Sequence, residues 1–496
     1  MAPLLLLAGL AAAGPLLPCG VPLLQPLPPL DVPPAPPAVG DKVERDAYGT
    51  FPNSLQSENF IVKWGDRGGV DPDEVQALLD AFEDGWAVEI ETMAHPAPPS
   101  TDTYLFNVYI GNTGSDTPDD YGAAGYYNPD DDGYPMIVIA QDTLKDAAYM
   151  EITAVHEFYH AIQNGLDAYT YTGDAAWYWE ATADWVASQV YPDNLNYAVF
   201  LVGFAYLPYL PVNYFNYPDS GALDEYHQYG AFIFPLFLTE QVADWTLVRD
   251  SWVDAESNDP LDELDRLLQA GYGTSINEVY PSFAAHNATW DYASGDDYDA
   301  ALDSYTFWYG DEDARIIDSY NEEGTDGDVS PPPETLPQRY GYNVFEVRSP
   351  RAGAYDVQFT GDAAGSNENA ATFAVTLVAE TDGVASYTPL PLTDNAGAAQ
   401  IATTGEESSL YLVVSAWSDR HRDDETFGYT FRITPGEAPD SPAPEDDTAD
   451  DTGGTGVLKD PEPKACACAA ASSAGGAWAG LALGLALSRR RSRASR

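Results

Sequence analysis

"AVHEFYHAIQ" occupies residues 154–163, and its reading decides the fold. His156 and His160 stand four apart, so on a helix their imidazoles aim at one point from successive turns. Glu157 is rotated from His156 by about 100°, too far round to be a ligand beside the two rings. It can still reach a water held on the same ion. H-E-x-x-H therefore pairs two neutral nitrogen ligands for Zn²⁺ with a general base. With six histidines in 496 residues, the pattern arises by accident in roughly one chain in two hundred. The accidental case is a core helix carrying two histidines, but unpaired buried imidazoles are disfavoured and the apolar face of this helix lies elsewhere.

A zinc site of this kind needs a third protein ligand. "WYWEATADW" (177–185) places Glu180 twenty residues after His160, with Asp184 one helical turn beyond. Alone, Glu180 would read as a solvated helix glutamate; among aromatic residues that imply burial, it reads as a ligand. The combination resembles the gluzincins, the thermolysin-like clan. In that clan a ligand glutamate follows the second histidine at this distance, and an aspartate four residues later holds a ligand histidine. The resemblance implies His156, His160 and Glu180 as zinc ligands, Glu157 as general base, and Asp184 as the partner that fixes the His156 tautomer. Trp179 stands where thermolysin has asparagine, which leaves the partner of His160 open. The metzincin pattern fails, because no third histidine follows at short spacing.

Residues 45 to 290 also resemble the secreted zinc metalloproteases of myxobacteria. They share the H-E-F-x-H helix, the Trp-rich helix carrying the glutamate, and a later Y-G-A-F helix start. A gluzincin further implies a donor for the developing oxyanion from the later helical part. "EYHQYGAFIF" (225–234) offers Tyr226, His227 and Tyr229. In related aminopeptidases a tyrosine lies three residues before the glycine, and His227 holds that place here. His227 is the first choice and Tyr226 the second, against an aromatic helix cap as the structural alternative.

The fold class expected is α+β. A thermolysin-like zincin domain spans 41–328, with a small mixed sheet, an active-site helix and a helical C-terminal subdomain. An antiparallel β-sandwich follows over 335–435. "NFIVKW" (59–64) alternates as a strand, and "YLFNVYIG" (104–111) and "MIVIA" (136–140) add two more. "DPDE" (71–74) supplies an N-cap, a Pro at the first helical position and a Glu at the third. The active-site helix is expected over about 143–164, ended by Asn164-Gly165. From there to about 290 the pattern is mostly helical. Beyond "SPPPETLPQ" (330–338), Tyr355/Val357/Phe359, Phe373/Val375/Leu377 and Phe427/Tyr429/Phe431/Ile433 alternate with period two. "SLYLVVSAW" (409–417) is a further strand. The pattern resembles the prepeptidase-type β domains of secreted bacterial proteases.

The formal net charge is -58, from 79 acidic and 21 basic residues, and five of the arginines lie at positions 489–496. Such a surface repels nucleic acid and anionic lipid; its plain use is solubility, in a medium whose salt screens self-repulsion. "NPDDDGYP" (128–135) clusters carboxylates that could take Ca²⁺, but it lacks EF-hand spacing and reads as a polar turn. The three cysteines, Cys19, Cys466 and Cys468, leave the long middle of the chain without a thiol. That excludes a thiolate metal site and cysteine catalysis there.

Residues 1–14 read as a signal peptide and 15–40 as a Pro-rich spacer. Residues 436–464 form an acidic stalk. Residues 465–496 combine a Cys pair, an apolar small-residue span and an arginine cluster, and resemble the myxobacterial C-terminal sorting tail. The expectation is a secreted or surface-anchored monomeric zinc peptidase acting on protein or peptide substrates. Membrane contact would come only through the tail before its processing, and nucleic acid is no partner. The alternatives are a surface binding protein or adhesin with a structural or vestigial zinc site, and a zinc hydrolase of non-peptide amides.

Overall fold

The computed structural model describes residues 42–436, apart from 47, 50, 115, 217–222, 310–314, 421 and 423. The expected signal peptide, Pro-rich spacer, stalk and C-terminal tail lie outside the described residues, as do the three cysteines. Among the described residues no helix is long and apolar enough to cross a membrane.

The architecture is α+β. Strands β1 (Asn53–Gln56), β2 (Phe60–Trp64), β3 (Phe106–Ile110), β4 (Gly125–Pro129) and β5 (Pro135–Ile139) form one sheet in the order β1-β2-β3-β5-β4. The inner pairs β2–β3 and β3–β5 are parallel and the two edge pairs antiparallel. β2, β3 and β5 are buried at every position, as interior strands covered on both faces must be. The polar residue of "NFIVKW" therefore does not face water. The Lys63 stem is buried and its ammonium donates to the Arg45 carbonyl at 2.6 Å, beside the Glu44 carboxylate at 3.2 Å. The carboxylate-rich stretch at 128–135 is the β4–β5 turn: Asp130 accepts from the backbone N–H groups of Asp132 and Tyr134 and pairs with Arg45.

Helix α1 (Pro72–Gly85) starts as expected, with the Asp71 carboxylate accepting from the Asp73 N–H. It continues as a wider π-helical turn over Trp86–Thr92. Helix α2 (Ala147–Leu166) carries the two histidines and is capped by Asp146. Residues 143–145 form a separate 3₁₀ turn, so α2 begins later than expected. It also runs through Asn164-Gly165 and ends at Asp167, whose φ is 53°. Gly165 is there for another reason: a Cβ would sit 2.9 Å from the Pro99 ring. Phe158 of α2 meets Phe60, Trp86 and Phe106 at ring separations of 5.1, 5.9 and 5.7 Å. That cluster locks the ligand helix onto α1 and the sheet.

The helical part follows as α3 (Ala176–Val190), α4 (Leu201–Tyr206), α5 (His227–Gly230), α6 (Ile233–Phe237), α7 (Thr246–Val253), α8 (Pro260–Leu267) and α9 (Ile276–His286). α3 packs along α2 and is buried from Ala176 to Ser188. α4 and α5 touch backbone to backbone. A Cβ on Gly203 would lie 2.4 Å from the Tyr226 carbonyl carbon, and one on Gly230 would lie 2.7 Å from the Phe200 oxygen.

The β-sandwich has sheets β10-β9-β12-β7-β6 and β11-β8-β13. Its strands are β6 (Ile316–Tyr320), β7 (Gly341–Arg348), β8 (Gly353–Gly361), β9 (Thr372–Thr381), β10 (Val384–Pro389), β11 (Ala396–Thr403), β12 (Ser409–Trp417) and β13 (Tyr429–Gly436). Two features differ from the expected antiparallel domain starting at 335. β6 precedes the Pro-rich stretch, and it pairs parallel with β7. A parallel neighbour needs a crossover, and the connection makes one through the other sheet, where Val329 bridges Phe431. The sandwich is also joined to the helices by a shared core. Val344, Val378, Tyr411, Val413 and Trp417 belong to the same apolar cluster as α2 and α3. Tyr280 of α9 bonds the Tyr340 carbonyl, and Asn287 donates to the Tyr342 hydroxyl at 3.1 Å.

The α4–α5 crossing gives a stability test. Gly203→Ala forces two backbones apart and is expected to cost about 1–3 kcal/mol, read as a lowered Tm. A Tm unchanged from that of the parent protein would show that the two helices do not pack at this point.

Candidate metal centre

α2 and α3 lie side by side and each is buried around nearly its whole circumference. His156, His160 and Glu180 are buried between them, and one donor atom from each lies within 4.8 Å of the others. His156 Nε2 is 3.1 Å from His160 Nε2 and 3.2 Å from Glu180 Oε2, and His160 Nε2 is 3.6 Å from that same oxygen. The far sides of both rings are held. His156 Nδ1 is 2.7 Å from Asp184 Oδ1, and His160 Nδ1 is 2.6 Å from Gln163 Oε1. With each Nδ1–H donated outward, both Nε2 lone pairs point at one place. The other Glu180 oxygen accepts from the Tyr171 hydroxyl. Gln163 is fixed in turn, donating to the Trp179 carbonyl and the Thr182 hydroxyl at 3.0 Å each. This buried cluster can hold a metal ion.

The electrostatics agree. Burial opposes a charge on His156, yet the carboxylates of Asp184, Glu180 and Glu157 hold its proton affinity well above the ordinary imidazole value. Burial also opposes the Glu180 carboxylate, but His160 and His156 bring its pKa down to about 2. Burial raises Asp184 above the usual carboxylate range despite His156. An environment that strongly favours positive charge between two imidazoles and a carboxylate is one a cation can enter, displacing a proton.

Glu157 is buried beside these ligands, on α2, as the spacing required. Edge strand β4 passes close to it: a Cβ on Gly125 would lie 3.1 Å from Glu157 Cγ and 2.9 Å from Thr153 Cγ2. All five residues first singled out, His156, Glu157, His160, Glu180 and Asp184, come together at the α2–α3 interface.

The two residues expected as oxyanion donors pack among aromatic rings. His227 is packed against Phe204 and Tyr214, with ring separations of 4.8 and 5.6 Å. Burial there depresses its pKa to about 3. Tyr226 lies on Phe200 at 5.0 Å. The α5 side chain turned to the ligands is Tyr229, whose ring is 6.3 Å from that of His156. Tyr229, His156, Asp184, Thr153 and Phe200 line a cavity of about 20 Å³, room for a water molecule. The reason lies in α5 itself. It is a single turn pinned on Gly203 and Gly230, and a half-turn from 227 to 229 exchanges the face turned to α4 for the one turned to α3. Counting back three from the glycine selects the face turned to α4.

Other contributors carried weaker signals. Gln163 sits at i+3 from His160, a spacing that places it under the same ring. Glu89, in the π-helical turn, is fully buried and neither carboxyl oxygen has a hydrogen-bond partner. Burial lifts its pKa well above the carboxylate range, partly offset by His156. Sequence periodicity gave no hint of it, since the π turn shifts the register by one residue.

The purified chain should bind about one equivalent of divalent metal. Asp184→Asn should weaken that affinity by about 10- to 100-fold, and Glu180→Gln by more. Competition with a chromophoric chelator measures both; affinities equal to the parent's would rule this cluster out as the binding site.

Among curated proteins none matches the chain. The family model that does match covers residues 34–437, from the Pro-rich segment through the last strand of the sandwich. The chain thus belongs to the family described as a family of unknown function, DUF6055.

Proposed function

We propose that the chain is a zinc-dependent hydrolase of peptide bonds, built on a thermolysin-like arrangement of mixed sheet, ligand helix and helical second half. One observation carries it. Two imidazoles and a carboxylate face a common point while each ring's other nitrogen is occupied by Asp184 or Gln163. Two nitrogens and one oxygen, with a fourth position left for solvent or substrate, suit zinc in its hydrolytic sites. The donor set fits the ion.

Zinc bound there would supply a Lewis acid for the scissile carbonyl and lower the pKa of a water toward about 7. The remaining chemistry belongs to the chain. Glu157 accepts a proton from the attacking water and returns it to the departing amine nitrogen. Tyr229 donates a hydrogen bond to the developing oxyanion. Asp184 and Gln163 keep both imidazoles in one tautomer. The low polarity around α2 and α3 strengthens each of these interactions. The terminal segments, read as a signal and a sorting tail, support an activity outside the cell or on its surface.

Burial supports a second reading. The three ligands are between 0 and 5 % exposed, as in a structural metal site within a surface binding protein. The two readings separate on Glu157→Gln, which keeps every ligand. As a peptidase, the parent should hydrolyse unfolded protein and Glu157→Gln should lose about a thousandfold or more in kcat, with metal content unchanged. Bound zinc with no hydrolysis by either protein selects the structural role.

Tyr229→Phe should lower kcat by about 10- to 100-fold with little change in KM, whereas His227→Asn should leave kcat within about twofold. The reverse order would return the oxyanion role to His227.

A further inference from the structure

The described residues contain a cleft of about 400 Å³ that the proposed chemistry leaves unused. It opens where three segments meet: the turn leading into α3, the segment after α4, and two loops of the β-sandwich. Asp174 comes from the first, Asn213 and Phe215 from the second, and Arg339, Arg422 and Asp424 from the third. Its inner wall is close to the metal centre. The Phe215 ring is 5.9 Å from that of Tyr171, edge to face, and the Tyr171 hydroxyl bonds Glu180. One tyrosine ring separates the cleft wall from a metal ligand.

In a chain of 79 acidic and 21 basic residues, most arginines have a carboxylate within reach. Arg45, Arg249, Arg266, Arg315, Arg348, Arg351 and Arg432 all form ion pairs. Among the described residues Arg67, Arg339, Arg420 and Arg422 form none, and of these Arg339 and Arg422 line the cleft together. Arg339 is nonetheless held in place: its Nε donates to the Ser418 carbonyl at 3.2 Å and its guanidinium lies over the Tyr340 ring at 4.6 Å. That fixes the plane and leaves the outer N–H groups for a ligand. Asp174 and Asp424 share the lining.

Asn213 supplies an independent indication. It is 6 % exposed and its side-chain oxygen has no hydrogen-bond partner. A buried amide oxygen in that state is missing a donor. Two guanidiniums seek an anion and one buried acceptor seeks an N–H. A peptide with an acidic group offers both.

We propose that this cleft is a specificity subsite for an acidic peptide segment. Arg339 and Arg422 take its carboxylate, and Asn213 accepts a backbone N–H of the same segment. The β-sandwich is then part of the substrate site rather than an appendage. The proposal rests on the peptidase reading for its context, and the carboxylate could belong to a Glu or Asp side chain or to a peptide C-terminus.

The test uses the full, metal-loaded chain carrying Glu157→Gln, so that binding is read without turnover. Three dye-labelled peptides share one sequence: one with glutamates, one with glutamines in their place, and one with glutamines and an amidated C-terminus. The glutamate peptide should bind about tenfold or more tightly than the amidated glutamine peptide. If the glutamine peptide with a free terminus matches the glutamate peptide, the C-terminal carboxylate is the group held; if it matches the amidated one, the side chains are. Arg422→Glu, at an exposed position, and Arg339→Gln should each remove the preference. Because Arg339→Gln could also loosen the Tyr340 loop, a salt series on the unsubstituted arginines serves as a second measurement. The preference should shrink between about 0.1 and about 1 M NaCl. Equal binding of all three peptides overturns the subsite, as does a preference that survives Arg422→Glu and high salt. Turnover by the parent chain separates the two proposals. Hydrolysis of all three peptides with equal kcat/KM would leave the peptidase standing without the subsite. Arginine-dependent binding with no hydrolysis would leave the subsite standing without the peptidase.

Discussion

The structure depends on the contact between α2 and α3, and within it on what lies behind the two imidazoles. Burying His156, His160, Glu180 and Asp184 together costs several kcal/mol unless each polar atom finds a partner. Asp184 takes the outer nitrogen of one ring and Gln163 that of the other, and Gln163 is itself tied to α3 through Trp179 and Thr182. The inner atoms then face one another. Two Nε2 atoms and a carboxylate oxygen, 3.1 to 3.6 Å apart, cannot all be satisfied without a positive charge among them. The packing of two buried helices thus creates an electrostatic demand that a cation meets.

How much of this was legible depends on the kind of signal. Residues fixed by helical spacing were readable, because a helix converts sequence separation into direction: His156 to His160, and Glu180 to Asp184, each span one turn. Glu180 could be joined to the histidines only through the family resemblance, since nothing local says that α3 packs on α2. That the Tyr229 ring lies beside His156 could not be read, because α5 is one turn long and its orientation is set by Gly203 and Gly230 against α4, contacts that periodicity does not encode. Strands with one solvent face, such as β8, alternated cleanly. β4 and β7, buried on both faces, were not read as strands. β6 escaped because its parallel partner lies beyond a crossover.

The sandwich is bonded to the helices. One sheet spends its inner face on the sandwich core, around Phe345, Phe359 and Phe431. Its outer face meets α9, which explains why β12 is buried at all nine positions. The Tyr280, Asn287 and Tyr340 hydrogen bonds are directional and fix the register of that contact. A domain held this way transmits position. The loops bearing Arg339 and Arg422 are therefore placed relative to α3 by a packed interface rather than by a tether, which is what shaping a shared cleft requires.

An anion-accepting cleft on a chain of net charge -58 raises an apparent conflict. Distance resolves it. At physiological ionic strength the field of a surface charge fades over about 8 Å, so most of the acidic surface is not felt at the cleft. A ligand already in contact with two guanidiniums meets them inside that length, where the local arrangement outweighs the global sum. The long-range repulsion acts earlier, on the approach of an acidic ligand, and it weakens with salt. The same salt also weakens the final contact, so the two effects oppose each other. Distance settles the balance: the repelling charges lie mostly beyond the screening length and are already damped at physiological salt, so further salt acts chiefly on the contact itself. A strongly acidic protein can hold an acidic segment provided that its few arginines are kept from its own carboxylates. Arg339, pinned by Ser418 and Tyr340, is kept in that way.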